Sequence, residues 1–314
     1  MTNEELKKIY FGAYSFKELE GGWLQAFQYT DEQMEYLKSV SDFWYGRSMG
    51  SNSKTIEFIT AATKVSFEYK LIWIGSYDSI ELMVDGLITD IAYVQTLGTE
   101  SRIEWELPEG EKNVVIYLPS DATAVLRNFE VNAPVKRPEK NEKVLWLGDS
   151  ITQGFGPLRS SLTYICVANR VLNYDIINQG IGGYVYDKNV LMKMEGYMPD
   201  KIIIALGTNQ FNAENMKDVE EYYDALIELY GEDMPVLCIS PVWRGNCGPE
   251  YPVFVRFCEN VKEIAGRYKN VKVVDGFKLI PHLNEYYLDS LHPNGLGSEE
   301  YGRHLVDAIR TLGF

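Results

Sequence analysis

The stretch VLWLGDSITQG, residues 144–154, is an apolar run that ends in Gly148, Asp149 and Ser150 and passes straight into a helical pattern. A serine there stands at the carboxyl end of a strand and the start of a helix, where ligands bind in an open α/β sheet. The first N–H groups of a helix have no intrahelical acceptor and are free to face negative charge. Ser150 is therefore the candidate nucleophile. Outward from it, near-continuous apolar runs recur at KVLWLG (143–148), DIINQ (175–179), KIIIAL (201–206), PVLCIS (235–240) and VKVVD (271–275). That is the pattern of parallel strands covered on both faces. Between them Val219, Tyr222, Tyr223, Leu226 and Tyr230 share one helical face, as do Phe254, Phe257, Cys258, Val261 and Ile264. Alternation of strand and helix predicts a parallel sheet in a three-layer α/β/α sandwich over 143–314.

A serine hydroxyl is a poor nucleophile unless a base takes its proton, and a neutral imidazole is the usual base near neutral pH. The chain holds three histidines. His282 has no acid at useful spacing, and His304 falls on the apolar side of the last helix beside Tyr301, Leu305 and Ala308, a packing or capping position. His292, in YYLDSLHPN (286–294), follows Asp289 by three residues. A carboxylate so close can hold the ring and stabilise the imidazolium.

Taken together these residues resemble the SGNH or GDSL-type hydrolases, esterases and acyltransferases named for short sequence blocks. The first block, GDS followed by a small apolar residue, matches Gly148–Ile151. NQGIGG at 178–183 is similar to the second block, Gly207, Thr208 and Asn209 match the third, and Asp289, His292 and Pro293 match the last, DxxHP. All stand in the family's order. The resemblance implies a flavodoxin-like strand order, with Ser150 as nucleophile, His292 as general base and then acid, and Asp289 orienting His292. It implies an oxyanion hole of the Ser150 N–H, the Gly183 N–H and the Asn209 side-chain amide, donors fixed where a tetrahedral oxygen gains charge. Asp149 is read as a brace of the turn through side-chain to backbone bonds. Two positions depart from the pattern: Gln210 stands where the family often has an acid, and Gly182 where many members have serine or another residue.

Residues 54–131 read differently. Val65, Phe67 and Tyr69 alternate with charged or polar neighbours, as do Ile103, Trp105 and Leu107, so each run has one buried and one wet face. Asp85-Gly86 between two such runs signals a hairpin. About seven strands predict an all-β, jelly-roll-like sandwich over 1–133, with a short helix near Asp31–Ser39 ahead of the strands. The segment 134–142, rich in proline and charge, is read as the connection.

The formal net charge of −15 repels nucleic acid and anionic membrane surfaces. No apolar run reaches the length of a membrane span, and MTNEELKKIY lacks the apolar core of a signal peptide, so the chain as given reads as cytoplasmic. Cys166, Cys238, Cys247 and Cys258 show no paired spacing and read as buried thiols. His and Cys never cluster at ligand spacing, so no metal is expected. No phosphate loop or dinucleotide fingerprint is present, so no cofactor is expected. Three functions stay open: hydrolysis of a small-molecule or carbohydrate ester, with 22 tyrosines and 6 tryptophans available to stack on sugar rings; acyl transfer to a sugar or natural-product hydroxyl; and carbohydrate binding beside an inactive hydrolase domain. Trp243 and Arg244 are candidates to line the pocket. The oligomeric state is not legible.

Overall fold

The computed structural model describes residues 1–76, 79–211 and 215–314. Among the described residues the chain forms two antiparallel sheets followed by one parallel sheet. The parallel sheet consists of β1 (Lys143–Gly148), β2 (Asp175–Gly180), β3 (Lys201–Ala205), β4 (Val236–Ile239) and β5 (Val271–Val274). Its order is β2-β1-β3-β4-β5, the flavodoxin-like arrangement in which chain direction across the sheet reverses beside β1.

Alternate residues of these strands feed two cores, because successive side chains point to opposite faces. Leu145, Leu147, Ile202, Ile204 and Cys238 pack with the helices Lys217–Tyr230 and Tyr251–Ala265. Val144, Trp146, Ile203, Leu237 and Ile239 pack with the helices Tyr164–Leu172 and Gly295–Leu312. The predicted helix faces are buried as read at Val219, Tyr222, Tyr223 and Leu226 and at Phe254, Phe257, Cys258, Val261 and Ile264.

The N-terminal region is a sandwich of antiparallel sheets. One contains Tyr10–Phe11, Thr55–Thr60, Lys112–Tyr117, Ser79–Val84 and Leu87–Tyr93; the other contains Ser15–Leu19, Trp23–Phe27, Ala122–Val131, Lys64–Ile74 and Glu100–Glu106. Ile56, Phe58, Leu82 and Ile116 of the first face Phe67, Tyr69, Trp105 and Leu126 of the second in one apolar core. The Asp85-Gly86 hairpin is present: both residues have positive φ, 48° and 83°, and Val84 pairs with Leu87. The strand count exceeds the reading because Tyr10–Phe11, Ser15–Leu19 and Trp23–Phe27 are short or mixed in polarity and offer no sustained alternation. Within the segment read as a connection, Val135 and Lys136 pair with Thr60 and Ile59 and so extend the first sheet.

The helix near Asp31 spans Asp31–Val40, opened by Thr30, whose side chain accepts from the Gln33 N–H while the Gln33 side chain reaches back. Its Met34 and Leu37 are buried against the parallel-sheet core rather than in the sandwich. Each such side chain contributes about 1.5–3 kcal/mol when removed from water. A second helix, Asp42–Ser48, follows. Buried polar groups fasten the two regions: the Asn52 amide donates to the carbonyls of Asn178 (3.2 Å) and Gly180 (3.1 Å). Glu81, fully buried, accepts from Arg159 Nη2 (2.7 Å), Ser161 Oγ (2.6 Å) and the Ser161 N–H (3.0 Å). Among the described residues no helix is long and apolar enough to cross a membrane.

Candidate active site

The site lies where three strands end in register. Gly148 of β1 pairs with Gly180 of β2 and with Ala205 of β3, so the segments carrying Ser150, Gly183 and Asn209 leave the sheet side by side. The helix after β1 is a single turn, Ser150–Gln153, ended by Gly154 in the left-handed region. The helical pattern read after Ser150 is thus one turn long, and the next α-helix begins at Tyr164. The Asp149 side chain caps the turn by accepting the Ile151 N–H at 3.0 Å, the bracing read from the sequence. Burial pushes the Asp149 carboxyl up to about 7, against the lowering effect of that N–H and of the Arg244 charge.

Ser150 Oγ is 2.9 Å from His292 Nε2, and His292 Nδ1 is 2.8 Å from Asp289 Oδ2. The three groups form one hydrogen-bonded line, although 142 positions separate the serine and the histidine. Asp289 is fixed locally, because its Oδ1 accepts the backbone N–H groups of His292 (2.8 Å) and Leu291 (3.1 Å). Burial would raise the Asp289 carboxyl, but the His292 and Leu291 N–H groups and the His292 ring outweigh it and hold the acid below its ordinary value. Phe155, just beyond the Ser150–Gln153 turn, packs edge-on against the His292 ring at 4.6 Å between centroids. That contact limits how the imidazole can swing. Nothing in the sequence pattern singled Phe155 out.

The oxyanion candidates sit on two linked loops. Gly183 has φ +74°, a conformation L side chains rarely adopt, and a Cβ there would lie 3.2 Å from the Phe43 ring. Among the described residues no backbone acceptor takes the Gly183 N–H. Asn209 Nδ2 donates to the Tyr184 carbonyl at 2.9 Å, which ties the third-strand loop to the second and leaves one amide hydrogen uncommitted. Gln210, where the family often has an acid, accepts the Tyr186 N–H. A neutral amide oxygen thus stitches the same two loops together.

Other readings resolve less simply. His282 bonds the Phe277 carbonyl and stacks on Trp243, and Trp243 in turn packs edge-on to Tyr287. Arg244 donates to the Thr208 carbonyl at 2.6 Å and lies over the rings of Phe211 and Phe254. Both residues of this pair therefore support loops next to the site. His304 was expected on an apolar face; it is exposed and bonds the Leu279 carbonyl at 3.0 Å, since its position falls at the solvent edge of the helical stripe. The four cysteines are buried and free. Among the described residues no group of three His, Cys, Asp or Glu side chains is placed to hold a metal.

The wall beside Gly182 and Gly183 comes from the N-terminal region. Phe43 and Trp44 of the helix Asp42–Ser48 border Gly183, and Arg47 of the same helix lies against Gly182. Phe43 is 55% exposed despite its size. These residues carry no motif, and only the fold brings them to the strand ends.

Residues 146–299 match the model of the GDSL-like Lipase/Acylhydrolase family. The whole chain is similar in fold to a salicylyl-acyltransferase from a tetracycline biosynthetic pathway, with TM-score 0.77 and 19% identity over 97% of this chain and 94% of that one. It is also similar in fold to a family two carbohydrate esterase from Clostridium thermocellum solved with cellohexaose, with TM-score 0.67 and 17% identity over 96% of this chain and 98% of that one. A multidomain esterase from Ruminococcus flavefaciens is 25% identical over 220 residues, which cover 53% of this chain and 28% of the relative. The match therefore spans little more than a quarter of that relative's length.

Proposed function

We propose that the protein is a serine esterase that removes short acyl groups, acetyl foremost, from a carbohydrate or small-molecule alcohol. The observation that carries this reading is the unbroken line from Ser150 Oγ through the His292 ring to Asp289. His292 Nε2 takes the hydroxyl proton as Ser150 Oγ attacks the ester carbonyl carbon. The carbonyl oxygen becomes an oxyanion that accepts from the Ser150 N–H, the Gly183 N–H and the Asn209 side-chain amide. Collapse expels the alcohol, which leaves with the proton held by His292. A water then gives a proton to His292 and attacks the acyl-enzyme, releasing the carboxylic acid and restoring Ser150.

The preference for a sugar-like alcohol is supported by the aromatic wall of Phe43 and Trp44 beside Gly183, by the esterase relative and by the fold of the carbohydrate esterase. The same wall gives a second reading its footing. If it shields the acyl-enzyme from water, an alcohol bound against the aromatics becomes the acceptor and the reaction is acyl transfer.

The test is hydrolysis of p-nitrophenyl acetate and acetylated sugars, together with fluorophosphonate labelling, in wild type and Ser150→Ala. Wild type is expected to turn over and label, and the variant to do neither, with a loss of about 10⁶-fold in kcat. Hydrolysis that survives in Ser150→Ala overturns the mechanism. A wild type that binds sugar but neither labels nor turns over favours the binding-protein reading, and product partition with added alcohol separates hydrolysis from transfer.

A further inference from the structure

We propose that Asp121, a sandwich residue, is a positioning residue for the oxyanion loop, acting through Gln153 on the Gly182–Gly183 backbone; this rests on the esterase reading above. Asp121 stands just ahead of the strand Ala122–Val131 and is buried. Its Oδ1 accepts two donors, Arg47 Nη1 at 2.7 Å and Gln153 Nε2 at 2.6 Å. The Gln153 carbonyl oxygen, at the other end of the same amide, accepts the Gly182 N–H at 2.6 Å.

The arrangement has a polarity. A side-chain amide donates from one end and accepts at the other, whereas an ionised carboxylate only accepts. Asp121 therefore turns the NH₂ end of Gln153 toward itself and leaves the oxygen facing Gly182. With the acceptor gone, a flipped amide would aim N–H at N–H, and Gly182 would lose its anchor. The next peptide carries the Gly183 N–H. The far side of the loop is held by the Tyr184 N–H to Ile181 carbonyl bond (3.1 Å) and by Asn209 on the Tyr184 carbonyl. The Gln153 contact is what fixes the Gly182 peptide from the nucleophile side.

Arg47 completes the brace. A Cβ at position 182 would lie 2.5 Å from Arg47 Cδ and 2.9 Å from its Nε, so the side chain occupies the space a serine would need there. This accounts for glycine at position 182, where the sequence departs from the family pattern it resembles: the volume is taken by a guanidinium from the N-terminal region, held in turn by Asp121 and by the Phe43 ring 4.7 Å from its centre. The N-terminal region is in this sense part of the catalytic apparatus, and Gln153, three residues past the nucleophile, is the link.

The experiment compares wild type, Asp121→Ala and Asp121→Asn in steady-state hydrolysis of p-nitrophenyl acetate and in amide hydrogen exchange of the 181–184 segment. Asp121→Ala is expected to lower kcat about tenfold, less than outright loss of an oxyanion donor, to leave KM unchanged, and to speed exchange in 181–184. Asp121→Asn retains a carbonyl oxygen for both donors and is expected to restore both readouts. Wild-type kcat in Asp121→Ala, unchanged exchange there, or an asparagine variant as slow as alanine each overturns the proposal. If wild type neither turns over nor labels, the esterase reading has failed, and exchange at 181–184 alone still decides whether the brace exists.

Discussion

The two flanks of Ser150 are built in opposite ways. On one side Asp289 and His292 sit three residues apart in a single loop, and Asp289 binds both the ring and the backbone N–H of its partner. On the other, Gly182 and Gly183 are held by Gln153, Asp121 and Arg47, which come from three separate parts of the chain. Under the proposed mechanism, the proton-transfer side is a local motif and the charge-stabilising side a tertiary construction. The difference follows from the chemistry each performs. An acid and its histidine need only each other, and a short turn supplies that. An oxyanion donor must be aimed at a point in space occupied only in the transition state, and aiming a backbone amide takes packing from several directions.

The comparison can be broken most sharply at Asp289. Asp289→Asn keeps the size of the side chain but lets the amide donate toward Nδ1, which favours the wrong imidazole tautomer. A loss of about 10⁴-fold in kcat is expected, with little change in KM. The carboxyl is held below its ordinary value by the groups it accepts from, so in wild type it stays ionised down through mildly acidic pH. If Asp289→Asn instead costs only a few-fold, the local motif is not the dominant element and the contrast between the flanks collapses.

A smaller effect is expected on the tertiary flank. Asn209→Ala removes one side-chain donor and also the bond to the Tyr184 carbonyl. Loss of a single oxyanion donor typically costs about 10²–10³ in kcat. The companion measurement is exchange of the 181–184 amides: if kcat falls while exchange there is unchanged, Asn209 acts as a donor in its own right, and if both change together it acts by holding the loop.

The same contrast explains what could be read from residues alone. Strand and helix alternation from residue 143 onward was legible because burial on both sheet faces writes continuous apolar runs, and the Asp289 to His292 spacing was legible because the turn that makes it is local. Asp85-Gly86 announced its hairpin for the same reason: two residues suffice. Phe43, Arg47, Asp121 and Phe155 were not legible. Each is an ordinary residue in an ordinary segment: Phe43, Arg47 and Asp121 come near Ser150 only once the chain has folded around the strand ends, and Phe155, close to Ser150 in sequence, meets the His292 ring only in the fold. The helix Asp31–Val40 shows this at the level of whole elements: a short helix was evident there, but which core it buries against was not, and it joined the parallel-sheet core. His304 shows the converse, since a helical face read at one-residue precision placed inside a side chain that lies at the exposed edge.

The docking of the two regions offers the mildest test, one that moves stability and leaves the chemistry alone. Lys54 is fully buried beside the interface formed by Asn52 and β2, and its amine donates to the Gln28 side-chain carbonyl and to the Gly50 carbonyl at 2.7 Å. A neutral amine has two hydrogens for these two acceptors. Burial pushes the Lys54 amine down from 10.5 to about 7. Its folded value thus lies below its unfolded value, so between about pH 7 and 10.5 the unfolded chain binds more protons than the native state. Stability from this group therefore rises with pH across that window and is lost as pH falls through the lower value. Lys54→Met keeps the apolar stem and removes the titration. The melting temperature of wild type relative to Lys54→Met is expected to climb between about pH 7 and 10, with kcat at neutral pH equal in the two proteins. A difference that stays flat with pH would mean that the amine keeps its charge in the folded state, and that the interface between the regions tolerates a buried cation rather than excluding one.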